Sequence, residues 1–99
     1  MVVLRCEPMI LKSRLSRRGY SSRKIIDNVE AELIGLIASD VVAKFGREKT
    51  LEFDTTASTP ASASKSIVRL VRDQKGTRPR IDWMSSYGSA RKLRALLSP

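Results

Sequence analysis

Apolar residues recur along this chain at several distinct spacings, and the spacings divide it into elements. Val2 to Cys6 is a β-branched run with almost no polar alternation, which predicts a strand buried on both faces and beginning with nothing before it to pair with. Glu7 and Pro8 then open a helix, because proline in the first turn gives up no intrahelical hydrogen bond. That helix is expected to run to about Arg18, to bury Ile10, Leu11 and Leu15, and to stop at Gly19, which takes the left-handed closing conformation at little cost. Ser21 or Ser22 can cap a second, longer helix from about Arg23 to Phe45, with Ile25, Val29, Leu33, Leu36, Ile37 and Val41 at helical spacing and Gly46 closing it. Gly35 inside it costs roughly 1 kcal/mol against alanine, which points to a close approach by a neighbouring backbone.

Thr50 to Thr55 is the second strand, with Leu51 and Phe53 pointing one way. Thr56 to Thr59 turn, Thr59 caps a helix that starts at Pro60, and Ala63, Ile67, Leu70 and Val71 form its apolar face up to Gly76. Thr77 to Arg80 reads as a basic linker. Ile81, Asp82 and Trp83 form a short strand or docking segment, the tryptophan serving as a packing anchor. Ser85 to Ser89 is a polar break, and Ala90 to Leu97 is a short basic helix with Leu93, Leu96 and Leu97 on one side. A strand, helices, a strand and a helix predict an α/β fold with a parallel pair, since parallel strands need a long crossover. Two short strands are too few for a finished sheet and leave edges unpaired.

Charge changes this picture. The 99 residues carry 19 Lys and Arg against 10 Asp and Glu, a formal charge of +9. The excess is concentrated: Lys12, Arg14, Arg17, Arg18, Arg23 and Lys24 fall in one stretch without an acid, and five bases follow Thr77 with only Asp82 against them. On a helix, Arg14, Arg17 and Arg18 lie on one side, where like charges repel unless something anionic meets them. Guanidinium forks match phosphate oxygens, so nucleotide or RNA is the expected partner, with a solvated basic face as the alternative. Asp27, Glu30 and Glu32 suit the start of the second helix electrostatically and could also hold the arginines just before them.

The candidate chemistry is narrow. With no His and one Cys, Cys6, a zinc site of the usual ligands and an internal disulfide are both excluded. Cys6 reads as a buried thiol in a reducing compartment, and the absence of a signal-like or spanning segment gives an expected cytoplasmic location without a membrane partner. Glycines at 19, 35, 46, 76 and 88 stand too far apart to build a phosphate-cradling loop.

RLSRRGY at Arg14 to Tyr20, DNVEAE at Asp27 to Glu32, EFDTT followed by Thr59 and Pro60, and IDW at Ile81 to Trp83 resemble, in order and spacing, the C-terminal half of archaeal adenylate kinase-like proteins. That family is related to the nuclear adenylate kinase that also acts as an ATPase in small ribosomal subunit assembly. The resemblance implies a partial P-loop nucleoside monophosphate kinase fold. Residues 1–83 would form the lid and last two strands, without the Walker A half, and residues 84–99 a basic C-terminal tail. It implies that Arg14, Arg17 and the turn Thr55, Thr56, Ala57 and Ser58 bind nucleotide, Arg14 against the adenine ring and the turn backbone along the adenine edge. Arg18 would be the catalytic residue that reaches the transferring phosphates, and Asn28 and Glu30 would hold the basic side chains in place.

The family often has glycine where Ala57 stands, and acids where Ala61 and Ser62 follow Pro60. ATP with Mg is implied as cofactor only for a complete enzyme, with no metal held by this chain. The expected function is therefore a nucleotide-binding half of a phosphotransferase, inactive alone and completed by a P-loop half or by self-association. A different class of reading is a non-catalytic module whose basic patches grip ribosomal RNA or a ribosomal protein.

Overall fold

The computed structural model describes residues 1–72 and 80–98, apart from the side chains of Pro60 and Leu70. Two strands, β1 (Val2–Arg5) and β2 (Leu51–Asp54), pair in parallel with Val2 opposite Leu51 and Arg5 opposite Asp54. Between them run α1 (Pro8–Arg17), α2 (Ser22–Leu33) and α3 (Leu36–Phe45), and after them α4 (Pro60–Arg72) and α5 (Ala90–Leu97). Short 3-10 turns occupy Arg47–Lys49 and Met84–Tyr87. This is the predicted α/β class: a two-stranded parallel sheet with a helical crossover, as expected of part of a nucleoside monophosphate kinase-like fold. The Gly76 helix end and residues 77–79 of the predicted linker lie outside the described residues.

The helix ends follow from local chemistry. The Glu7 carboxylate caps α1 by accepting from the Met9 amide at 3.0 Å, the Ser21 hydroxyl caps α2 by accepting from Lys24, and the Ser89 hydroxyl caps α5 by accepting from Lys92. Thr59 and Ser62 cap α4 reciprocally: the Thr59 amide donates to Ser62 Oγ at 3.0 Å and the Ser62 amide to Thr59 Oγ1 at 3.2 Å.

The expected long second helix is two helices. Gly35 has a φ of +67°, a left-handed conformation that ends α2 and starts α3 in a new direction. A close approach does exist there, but by a side chain: a Cβ on Gly35 would sit 3.5 Å from Arg5 Nη2. Space would permit the methyl group, and the backbone would not. Gly35→Ala should therefore lower stability by roughly 1 to 2 kcal/mol, the cost of a left-handed L-residue, read as a lower urea midpoint with an unchanged slope.

The core lies among helices. Leu15, Ile25, Val29, Leu33 and Leu96 form the buried cluster, with Leu11, Trp83, Tyr87, Leu93 and Leu97 packed around it. Leu96 on α5 is fully buried, so this helix is an integral wall of the core. Lys12 Nζ fastens its end by donating to the carbonyls of Ala95 at 3.0 Å and Ser98 at 2.7 Å, where a cation meets the negative end of the helix dipole.

Three expectations about burial are corrected. The strand β1 is buried on one face only: Val3 and Arg5 are inside, and Leu4 is 60% exposed. Ile10 is exposed on α1, and Leu36 and Ile37 are exposed on α3. Apolar spacing alone marks these residues for a core, and their exposure shows that no described element covers them.

Candidate nucleotide site and its relatives

The site is assembled where β1 enters α1 and β2 leaves for α4. The Thr55 amide and hydroxyl donate to the Arg5 carbonyl at 2.7 and 2.8 Å, and the Glu7 amide donates to Thr56 Oγ1 at 2.9 Å. Asp54 Oδ1 accepts from the Thr56 amide at 2.9 Å and also from the Thr56 hydroxyl. The turn after β2 is thus stitched to the end of β1, which a parallel sheet brings to the same side.

Helical spacing then places Arg14 over this turn. Its Nη2 donates to the carbonyl of Thr56 at 2.7 Å and of Thr55 at 3.2 Å, while Nη1 lies 3.4 Å from Cys6 Sγ. Arg14, Thr55 and Thr56, all assigned to nucleotide binding by the same resemblance, are therefore in direct contact. Ser58 joins them through its amide, which donates to the Thr55 carbonyl at 3.1 Å. Ala57 is exposed at the turn. Burial pushes the Cys6 thiol pKa up, and the Arg14 charge only partly opposes it, so Cys6 is held as a neutral thiol.

The remaining predicted residues are further from the turn's bonding. Arg17 is exposed and donates to Ser13 Oγ on its own helix at 3.2 Å. The Arg18 side chain is exposed and makes no hydrogen bond or ion pair with any described residue. Asn28 donates to the Lys24 carbonyl at 2.7 Å and Glu30 is exposed, so neither holds an arginine as the resemblance implied. Nor do the acids of α2 reach back to the arginines before them. Among the described residues no three His, Cys, Asp or Glu side chains converge as metal donors. No helix among the described residues is long and apolar enough to cross a membrane.

Sequence reasoning missed the cluster that supports this site from beneath. Arg5 is only 2% exposed, and its Nε donates to Glu32 Oε2 at 2.6 Å and Oε1 at 3.2 Å. Its Nη1 pairs with the buried Glu52 carboxylate and donates to the Ile81 carbonyl at 3.1 Å; Nη2 donates to the Glu32 carbonyl at 3.2 Å. Trp83 Nε1 donates to Glu32 Oε2 at 3.2 Å, and Arg47 pairs with Glu52 Oε2 at 3.3 Å. One guanidinium therefore ties β1, α2, β2 and the segment leading into Trp83. The signal was in the sequence: a lone arginine in an unbroken apolar strand, at the position that alternation buries with Val3.

A second tie joins the other end of the chain to α1. Tyr87 donates its hydroxyl to the Glu7 carboxylate, and burial together with that bond pushes its pKa up to about 12. The folded form thus holds the phenolic proton more tightly than the unfolded one. This contribution to stability is intact below about pH 10, the ordinary tyrosine value, and is lost as pH rises toward the folded value. Stability measured from pH 9 to 12 should fall more steeply for the native chain than for Tyr87→Phe.

No family model matches the chain. Its similarity to known proteins is nevertheless specific. It is 39% identical to a "Putative adenylate kinase" of Natronomonas pharaonis over 75 residues, 76% of this chain and 45% of that protein. It is 38% identical to one of Thermococcus gammatolerans over 90 aligned positions, 88% of this chain and 49% of that protein. A Methanocaldococcus jannaschii protein of the same description is 32% identical across 88% of this chain and 46% of its own length. The chain matches the C-terminal half of archaeal adenylate kinase-like proteins. It spans about half the length of the curated relatives it matches. The adenylate kinase-like relationship therefore covers most of the chain.

Proposed function

We propose that this chain is the nucleotide-binding half of an adenylate kinase-like phosphotransferase and acts only when a P-loop half completes it. The observation that carries the reading is the contact of Arg14 with the Thr55 and Thr56 carbonyls. It places a planar cation and a backbone-rich turn side by side, as a stacking and edge-reading surface for a purine requires. Arg17 and Arg18 lie at the C-terminal end of the helix that carries Arg14, and their positive charge suits phosphate oxygens. Bound ATP with Mg would supply the transferred phosphoryl group. This chain's own residues would hold the base and offset charge at the phosphates.

Combining the chain with a P-loop half and measuring ADP formed from ATP and AMP tests this directly. The expected result is no transfer by either component alone and transfer by the mixture; an inert mixture contradicts the reading. A second reading has its own support: Arg91, Lys92 and Arg94 on α5, and Lys65, Arg69 and Arg72 on α4, are all exposed and basic. If these residues grip RNA, binding must weaken steeply with salt, the log-log slope growing by about 0.9 per phosphate on duplex and less on single strands. RNA affinity that is absent or indifferent to salt removes that alternative.

A further inference from the structure

The segment after Trp83 grips the helix that carries Arg14 at two places. Tyr87 donates its hydroxyl to the Glu7 carboxylate at the start of α1, and the carbonyls of Ala95 and Ser98 accept from Lys12 on the flank of that helix. Glu7 is in turn a joint between two parts of the site. Its carboxylate accepts from the Met9 amide and so caps α1, while its own amide donates to Thr56 Oγ1 at 2.9 Å. The Thr56 carbonyl is where Arg14 Nη2 bonds at 2.7 Å. A path of bonded groups therefore runs from Tyr87 through Glu7 to the turn and, through the helix that Glu7 caps, to Arg14.

Two features give the Tyr87 hydroxyl a purpose beyond packing. The ring lies against the buried cluster around Leu15, Val29 and Leu96, a place that phenylalanine would fill equally well, so packing alone does not call for the oxygen. Glu7 does. Glutamate is an uncommon N-cap: Ser, Thr, Asp and Asn are preferred, and a longer side chain gives up more rotamer freedom to fold back on the helix amides. A carboxylate in that post gains from being held, and a charge-assisted bond from a phenol holds it. We propose that Tyr87 is a positioning residue for the nucleotide site, acting through Glu7 to fix α1 against the turn at residues 55–58 and so to keep Arg14 on the Thr55 and Thr56 carbonyls. The proposal rests on the functional reading above and names a residue, beyond the motifs that carry the family resemblance, on which nucleotide affinity depends. Rotation of α1 by one residue step, about 100°, would swing Arg14 away from both carbonyls.

The test measures kcat and KM for ATP in a mixture of the full chain with a P-loop half. Tyr87→Phe keeps the ring in the core and removes only the hydroxyl. Glu7→Thr keeps α1 capped by a preferred residue but is too short to hold the Met9 amide and the Tyr87 hydroxyl together, so neither variant should unfold, and thermal melts check this at the assay temperature. Each single variant is expected to raise KM for ATP about three- to tenfold, the range for one lost hydrogen bond, with kcat within about twofold of the native mixture. Adding Tyr87→Phe to Glu7→Thr should change KM no further, because the second substitution removes a bond already broken. That silence separates a residue acting through Glu7 from one that merely stabilises the fold, whose effects would add. An active mixture in which Tyr87→Phe leaves KM unchanged, or in which the two substitutions raise KM independently, overturns the positioning role and leaves the two-half reading in place. An inert native mixture overturns both.

Discussion

Replacing Arg5 with methionine should cost about 3 to 5 kcal/mol of stability, the penalty for leaving partners of a buried ion pair without their countercharge. Glu52 is as buried as Arg5, with only 1% of its side chain exposed, and Glu32 is 14% exposed, so neither carboxylate recovers full hydration when the guanidinium is removed. The loss should appear as a fall in urea midpoint. Trp83 fluorescence should report it, because its indole N–H shares the Glu32 carboxylate. The ionic origin of the effect has a distinct signature. Adding Glu32→Gln and Glu52→Gln to Arg5→Met removes the stranded charges and should restore a substantial part of the loss, which is non-additive behaviour expected of groups in one network. A triple variant as unstable as the sum of three independent losses would show that the cluster contributes through packing alone.

The second large effect concerns transfer. In an active mixture with a P-loop half, Arg18→Ala should lower the rate of ADP formation on the order of 10²- to 10³-fold, the cost of losing one preorganised group aimed at transition-state charge. The stability of the chain itself should hardly change, because Arg18 is exposed and makes no described side-chain contact. Arg14→Ala should behave differently. It removes bonds to Thr55, Thr56 and Cys6, so it should disturb both the turn and nucleotide affinity. Raised KM for Arg14→Ala with lowered kcat for Arg18→Ala would separate binding from charge stabilisation. Equal activity of the Arg18 variant and the native chain would remove its assigned role.

The patterns that could be read from sequence were those set by neighbours along the chain. Pro8, Ser21 and Thr59 mark helix starts because capping is local, and the parallel pairing follows from the length of the crossover. Gly35 was visible as an anomaly, but its left-handed conformation depends on where α3 must go after α2, which periodicity does not encode. Arg5 escapes the sequence reading for a related reason. Its burial makes sense only once Glu32 and Glu52, 27 and 47 positions away, are known to converge on it. Ile37 and Leu4 show the converse: helical spacing or strand composition marks a side chain as apolar, whereas burial needs a facing element.

At the site, the motif RLSRRGY identified Arg14, and the EFDTT stretch identified the turn it contacts. The bond between them was not legible, since it depends on the sheet bringing β1 and β2 to a common end. The acids of α2 were likewise visible, but their partner was not one of the arginines close by in sequence. It was Arg5, across the core.

Mass measurement of the native particle that contains this sequence, purified from its source under mild conditions, is the most direct test of the two-half account. The account predicts the 11.1 kDa stretch in company with a roughly equal mass of polypeptide carrying a Gly-rich phosphate loop followed by Lys and Ser or Thr. An 11.1 kDa chain found alone, or associated only with RNA, would contradict it.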